Sequence, residues 1–239
     1  MYSILRIQKL KSRQQIAAAV GHNLRLHNVP NADESKTELN KNFITFDYPD
    51  LISRLEKVFY EKNIKPRADA VLATEVILTA SPEFFKNEET IKNWLEANKK
   101  FAAREFGKEN LLQFNLHLDE LTPHIHLIFT PITKDNRLSM KDLYGGKAKL
   151  SALQTRYNQS MRAAGFDLKR GQENSQAKHN TIKKFYSLAN KIQKLTQEQL
   201  QELSKLLDKF DLQNNIDNEL DNLQLLKTIN KVKPYLKNH

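Results

Sequence analysis

Three histidines and one glutamate carry the chemistry most visible in this sequence. They lie in the stretch Gln113-Phe114-Asn115-Leu116-His117-Leu118-Asp119-Glu120-Leu121-Thr122-Pro123-His124-Ile125-His126-Leu127-Ile128-Phe129. In a β-strand alternate side chains share a face. Gln113, Asn115 and His117 therefore point one way, and Phe114, Leu116 and Leu118 the other. By the same alternation His124 and His126 oppose Ile125, Leu127 and Phe129. Residues 119–123, closed by Pro123, have the length and composition of a hairpin loop. Folding that hairpin gathers His117, His124 and His126 on one polar face and leaves the apolar face to pack on helices. Three imidazoles without a thiolate suit a divalent ion such as Mn2+, Zn2+, Ni2+ or Co2+. Three protein ligands leave positions open for a substrate oxygen, as a catalytic metal requires. Glu120 stands beside the cluster, where a carboxylate can orient a ligand imidazole or bind through water.

The elements that must position these side chains follow from periodicity. Residues 2–10 read as a short strand. Ser12, with Gln15 three residues on, has the pattern of a capping box opening a helix that ends near Gly21-His22-Asn23. Residues 28–50 are polar and turn-rich and read as loop. A helix over 50–61 carries Leu51, Leu55, Val58 and Phe59 at helical spacing. The run 70–79 is nearly continuous apolar and β-branched, as a buried central strand should be. Glu75 interrupts it; a buried carboxylate is costly unless paired, so it either enters the site or meets an arginine. A helix over 82–106, closed by Gly107, strands over 111–118 and 124–131, and a basic helical region over 147–164 complete the pattern. Thr196 with Gln199 caps an amphipathic helix bearing Leu200, Leu203, Leu207 and Phe210, and a further helix carries Ile216, Leu220, Leu223 and Leu226. The order predicts an α+β fold, a largely antiparallel sheet packed against helices, in a domain over residues 1–186 followed by a C-terminal helical extension over 187–239.

Composition narrows the function classes. The chain has 239 residues, no cysteine and a net charge of +10, so disulfides and thiolate zinc sites are excluded. No run approaches the roughly 20 apolar residues of a membrane span, and the N-terminus lacks a secretory hydrophobic region; the expectation is a cytoplasmic protein. Residues 134–184 hold +8 of the +10, the localised footprint of a phosphate-binding surface.

The motif His117-x-Asp119-Glu120-x-x-Pro123-His124-x-His126 resembles the metal motif of the MobV, or Mob/Pre, plasmid mobilisation relaxases, within the wider group of nucleases that carry a His-hydrophobe-His strand. His22-Asn23-x-Arg25 is similar to that family's N-terminal motif, and Asp69-Ala70-Val71-Leu72 with Glu75 to its central strand. Gly165-Phe166-Asp167-Leu168-x-Arg170-Gly171, then Lys178-His179, resemble its closing segment. The likeness covers about residues 1–186. It implies metal-dependent nicking of one DNA strand at an origin of transfer, with the enzyme left joined to the 5′ phosphate. The implied cofactor is Mn2+, with Mg2+ or another divalent ion as alternatives.

Resemblance also points to His22 as nucleophile. Where the family often has a tyrosine after Leu-Asn, this chain reads Glu38-Leu39-Asn40-Lys41, leaving Tyr48 and Tyr60 as the other candidates. Glu38 replaces the family's usual histidine two residues before Asn. An imidazole with an ordinary pKa of about 6.5 is largely neutral at pH 7 and needs no base to attack phosphorus. Arg25, one turn on, is placed to hold a phosphate, and Arg67 is a candidate backbone contact. Lys141, Lys147, Lys149, Arg156, Arg162, Lys169 and Arg170, with His179, are the candidate duplex or hairpin contacts, whose affinity should fall with salt. The implied partners are plasmid DNA with a hairpin and single strand near the nick, and the conjugation coupling machinery; the amphipathic tail helices would pack either on the domain or on a second copy as a homodimer. Two other readings stand beside this one: a rolling-circle replication initiator using tyrosine, and a non-catalytic DNA-binding regulator that keeps a metal for structure. A small-molecule metallohydrolase leaves the basic segment unexplained.

Overall fold

The computed structural model describes residues 1–171. The expectations for Lys178, His179, the tail helices and the boundary near 186 lie outside the described residues.

Six strands form one sheet in the order β2-β4-β5-β3-β1-β6: β1 (Tyr2–Leu10), β2 (Lys41–Thr45), β3 (Ala73–Ala80), β4 (Leu111–His117), β5 (His124–Phe129) and β6 (Lys169–Arg170). Every pairing is antiparallel except that of β6 with β1. This is the α+β architecture expected, and the hairpin β4–β5 lies at its centre with β3 beside it.

Helices cover both faces. On one side α3 (Glu88–Ala102), α4 (Met140–Tyr144) and α5 (Gly146–Ala163) pack Trp94, Phe101, Tyr144, Leu153, Tyr157 and Met161 onto Val76, Leu78, Phe114, Leu116, Ile125, Leu127 and Phe129. On the other, α1 (Arg13–Asn23) and α2 (Tyr48–Glu61) pack Ile16, Val20, Leu51, Leu55 and Phe59 onto Leu10, Ala73, Leu112 and Ile128. Each fully buried Leu, Ile or Phe contributes on the order of 1.5–3 kcal/mol, and this holds the polar row between them away from water. The polar face of the hairpin is thus not an open surface: α1 covers it, and β4 and β5 are buried throughout.

Several local expectations are refined. Ser12 caps α1 by accepting from Gln15 N–H, and Gln15 reaches back to the Lys11 N–H (2.7 Å). Asp47, three residues before Asp50, caps α2, which therefore begins at Tyr48. The expected helix over 82–106 is broken: a short 3-10 turn spans Pro82–Phe84, α3 opens at the cap Asn87, and a π turn ends it at Gly107. The polar run 28–50 contains a 3-10 turn, Glu34–Leu39, and the edge strand β2. Its Lys41 and Asn42 gave no apolar alternation because an edge strand needs little burial. Among the described residues no helix is long and apolar enough to cross a membrane.

Candidate metal centre

Register decides which side chains meet. His117 pairs with His124 and Asn115 with His126 across β4–β5, while Thr79 and Ile77 of β3 flank His124 and His126 from the other side. Thr79 Oγ1 donates to the Pro123 carbonyl (2.8 Å) and fixes the end of the loop. The three imidazoles converge as the alternation predicted, with ring centroids 5.2 Å (His117–His124), 4.7 Å (His117–His126) and 4.9 Å (His124–His126) apart. All three are buried.

Each ring is anchored through one nitrogen. His117 Nε2 lies 2.9 Å from the Asn23 carbonyl, His124 Nδ1 2.8 Å from the Thr122 carbonyl, and His126 Nδ1 2.9 Å from Glu75 Oε1. Those partners only accept, so the anchored nitrogen carries the proton and the other keeps its lone pair. His117 Nδ1 is buried without a hydrogen-bond partner. A buried lone pair left empty in a cluster of imidazoles, with a carboxylate behind one ring, is the donor chemistry of a divalent cation site. Among the described residues, two sets of side chains place one donor atom each within 4.8 Å of one another: His22, His117 and His126, and His117, Glu120 and His124. The three predicted ligands are divided between these sets, and both contain His117.

Burial sets the protonation. It pushes His117 down to about 2 and His126 well below its ordinary value, with neighbouring histidines adding to the effect. Burial also raises Glu75, the carboxylate whose place in the strand sequence had two readings; the structure puts it on the site, against His126.

His22 enters at the C-terminal end of α1, its ring 5.0 Å from His126 and 5.9 Å from His117. Burial, then the Arg25 charge, lowers its pKa. Tyr48, the first residue of α2, packs partly buried against the second core, and Tyr60 is exposed near the other end of that helix. Among the described residues the geometry sets His22, not Tyr48 or Tyr60, against the cluster.

Arg25 is not free to grip a phosphate as expected. Its Nε and Nη2 donate to Asp119 Oδ2 (2.9 Å) and Oδ1 (2.7 Å), Nη2 also to Glu120 Oε1 (2.7 Å), and Nη1 to the His22 carbonyl (3.1 Å). Nη1 lies 3.4 Å from His22 Nε2; arginine only donates, so that nitrogen presents its lone pair. Glu120 is held by Arg25 and Asn31, 3.7 Å from His124 Nε2. Burial works to raise Asp119, but bonds from Arg25 and Asn40 hold it well below the usual carboxylate range. Sequence reasoning gave Asp119 no role and missed Asn31 and Asn40. Asn40 accepts from Leu118 N–H (2.7 Å) and donates to Asp119 Oδ2 (2.7 Å). Its adjacency to the missing tyrosine motif was the only signal, and Asn31 had none.

The basic segment falls elsewhere. Lys141, Lys147, Lys149, Arg156 and Arg162 sit on α4 and α5, across the sheet from the histidines, and Lys169 lies at the sheet edge. Arg156 is paired with Glu105, and Arg170 bonds Ser151 and Thr155 of α5. Arg67 is exposed in the loop before β3, 3.8 Å from Asp69.

Comparison with known proteins places this geometry. The Mob_Pre family model, described as plasmid recombination enzyme, matches residues 1–187. Plasmid recombination enzyme type 3 of Mammaliicoccus lentus is 36% identical over 194 residues, 77% of this chain and 47% of that protein. A plasmid recombination enzyme of Bacillus thuringiensis is 38% identical over 159 residues, 62% of this chain and 33% of that protein. The chain thus spans about half or less of the length of these relatives. Among solved structures, the MobM relaxase domain (MOBV; Mob_Pre) bound to plasmid pMV158 oriT DNA, with Mn at pH 5.5, superposes with a TM-score of 0.71 at 30% identity, covering 79% of this chain and 100% of that one. A further Mn-bound MobM complex at pH 4.6 gives 0.70 at 31% identity, over 78% of this chain and 100% of that one. With residues 1–187 matched and the sheet, hairpin and histidines in place, the chain is a member of the Mob_Pre (MobV) family of plasmid recombination enzymes.

Proposed function

We propose that this chain is the nicking and joining domain of a plasmid mobilisation relaxase, cutting one strand at an origin of transfer and remaining joined to the 5′ phosphate through His22. One observation carries the assignment: His22 is the group that α1 delivers to the histidine cluster, its ring 5.0 Å from His126. The oriT DNA and Mn in the MobM structures support the substrate and cofactor, and the Mn complexes at pH 5.5 and 4.6 agree with imidazoles that stay neutral in acid.

His117, His124 and His126 hold the divalent ion, Mn2+ by preference, and Mg2+ or another divalent ion as alternatives. When bound it neutralises charge on the non-bridging oxygens of the scissile phosphate. The residues do the rest. Burial and the Arg25 charge keep His22 neutral, so its lone pair attacks phosphorus. A phosphorus–nitrogen bond forms, the bond to the 3′ oxygen breaks, and that oxygen takes up a proton. The phosphodiester energy is retained in the phosphohistidine, which allows the strand to be rejoined. Arg25 orients His22 and Glu120, and Glu120 stands beside His124 as the acid–base group. The basic residues of α4, α5 and β6, with Arg67, engage flanking duplex or hairpin DNA away from the nick.

The decisive test incubates the protein with Mn2+ and supercoiled DNA carrying the cognate origin, denatures the adduct and maps the DNA-linked peptide. The expected peptide contains His22, with no product in EDTA. A link to Tyr48 or Tyr60, or a nicked product with a free 5′ phosphate, removes the assignment.

A further inference from the structure

His22 belongs to a set of three imidazoles, His22, His117 and His126, whose donor atoms lie within 4.8 Å of one another. Donors around a tetrahedral ion with metal–nitrogen distances near 2.1 Å are about 3.4 Å apart, so modest closure of the rings seats a cation there. This set differs from the working one by exchanging His124 for His22. The two positions cannot be filled together. His117 donates Nε2–H to the Asn23 carbonyl, so it has one lone pair, on the buried and unpartnered Nδ1; one lone pair ligates one ion. His126 is limited in the same way, its Nδ1 committed to Glu75.

The two positions differ in chemistry. The one containing His22 is all nitrogen. The working position adds an oxygen: Glu120 brings a carboxylate donor within 4.8 Å of the donors of His117 and His124. Imidazole-only sets favour Zn2+, Ni2+ and Cu2+, whereas oxygen donors suit Mn2+ and Mg2+.

We propose that His22, His117 and His126 form an inhibitory cation position selective for nitrogen-preferring ions such as Zn2+. An ion bound there occupies the lone pair that would attack phosphorus and takes two ligands from the working ion, so Zn2+ silences nicking while Mn2+ supports it. The inhibitory consequence rests on the reading of His22 as nucleophile; the cation position itself rests on the geometry.

The test titrates Zn2+ and Mn2+ separately by calorimetry into the metal-free full chain, its His22→Gln variant and its His124→Gln variant. The expected result is a loss of about tenfold or more in Zn2+ affinity for His22→Gln with Mn2+ changed less than about twofold, and the converse for His124→Gln. In the wild type, Zn2+ slows diethyl pyrocarbonate modification of His22, read by peptide mapping, and Mn2+ does not. This measurement needs no variant to fold. Zn2+ affinity indifferent to His22→Gln, or equal modification rates with the two ions, overturns the proposal. Zn2+ bound through His22 in a protein whose DNA adduct maps to a tyrosine upholds the cation position and removes only the nucleophile assignment.

Discussion

Arg25 and Asp119 face each other in a buried two-point pair, Nε to Oδ2 at 2.9 Å and Nη2 to Oδ1 at 2.7 Å, and this pair joins the end of α1 to the β4–β5 loop. Arg25 holds this place in a left-handed backbone conformation, φ +56°. Leu26 N–H bonds the Gly21 carbonyl and Arg25 N–H the His22 carbonyl, the Schellman pattern in which the residue after the cap is usually glycine. An arginine there costs about 1–2 kcal/mol of backbone strain. Its side chain offsets that by tying Asp119 and Glu120 to the turn that presents His22.

Replacing Arg25 therefore has two separable effects. Arg25→Ala leaves Asp119 buried without its ionic partner, with the neutral donors Asn40 and Thr37 remaining, and the expected loss is about 3 kcal/mol. Arg25→Gly relieves the backbone and should be more stable than Arg25→Ala by about 1 kcal/mol. Urea unfolding of the two variants checks the order; a glycine variant no more stable than the alanine one contradicts it.

Glu75 acts through His126. Glu75→Ala removes the acceptor that fixes the His126 tautomer, and Mn2+ affinity should fall about 10–100-fold, measured by calorimetry. Glu75→Gln, which keeps an oxygen acceptor, should recover most of it.

Acid should weaken metal binding less than three histidines would suggest. Two ordinary imidazoles, of pKa about 6.5, would together cost about a hundredfold in affinity between pH 7.5 and 5.5, because each must lose a proton to bind. Burial holds His117 at about 2 and His126 well below its ordinary value, so both are already neutral across that window. The expected loss of Mn2+ affinity is below about tenfold. A hundredfold loss would mean that at least one of these two rings takes up a proton within that window.

Position on the fold separates the basic residues of α4 and α5 from the histidine cluster. Lys147→Ala with Arg162→Ala should leave cleavage of a short single-stranded origin oligonucleotide within about twofold. Binding to the longer hairpin-containing origin should weaken, and its salt slope should fall by about 2, roughly one for each cation removed. Slower cleavage of the short strand would place those residues near the nick.

The chain alone made the hairpin and its three histidines legible, because a two-residue alternation is a local rule that β4 and β5 obey. It likewise revealed the Ser12 cap and the strand of β3. The edge strand β2 was not legible, since Lys41 and Asn42 pair with β4 without burying an apolar face. What only the tertiary structure decided is the company the histidines keep. Asn23, Arg25, Asn31, Asn40 and Glu75 reach the hairpin across separations of 51 (Glu75–His126) to 95 (Arg25–Glu120) positions along the chain, and such contacts leave no periodic trace. The basic run likewise read as one surface in sequence, yet packing of α5 against α3 sent its α4 and α5 residues to the face opposite His117. Spacing along a strand is fixed by covalent geometry; which helix covers which face is fixed by where the largest apolar area is buried.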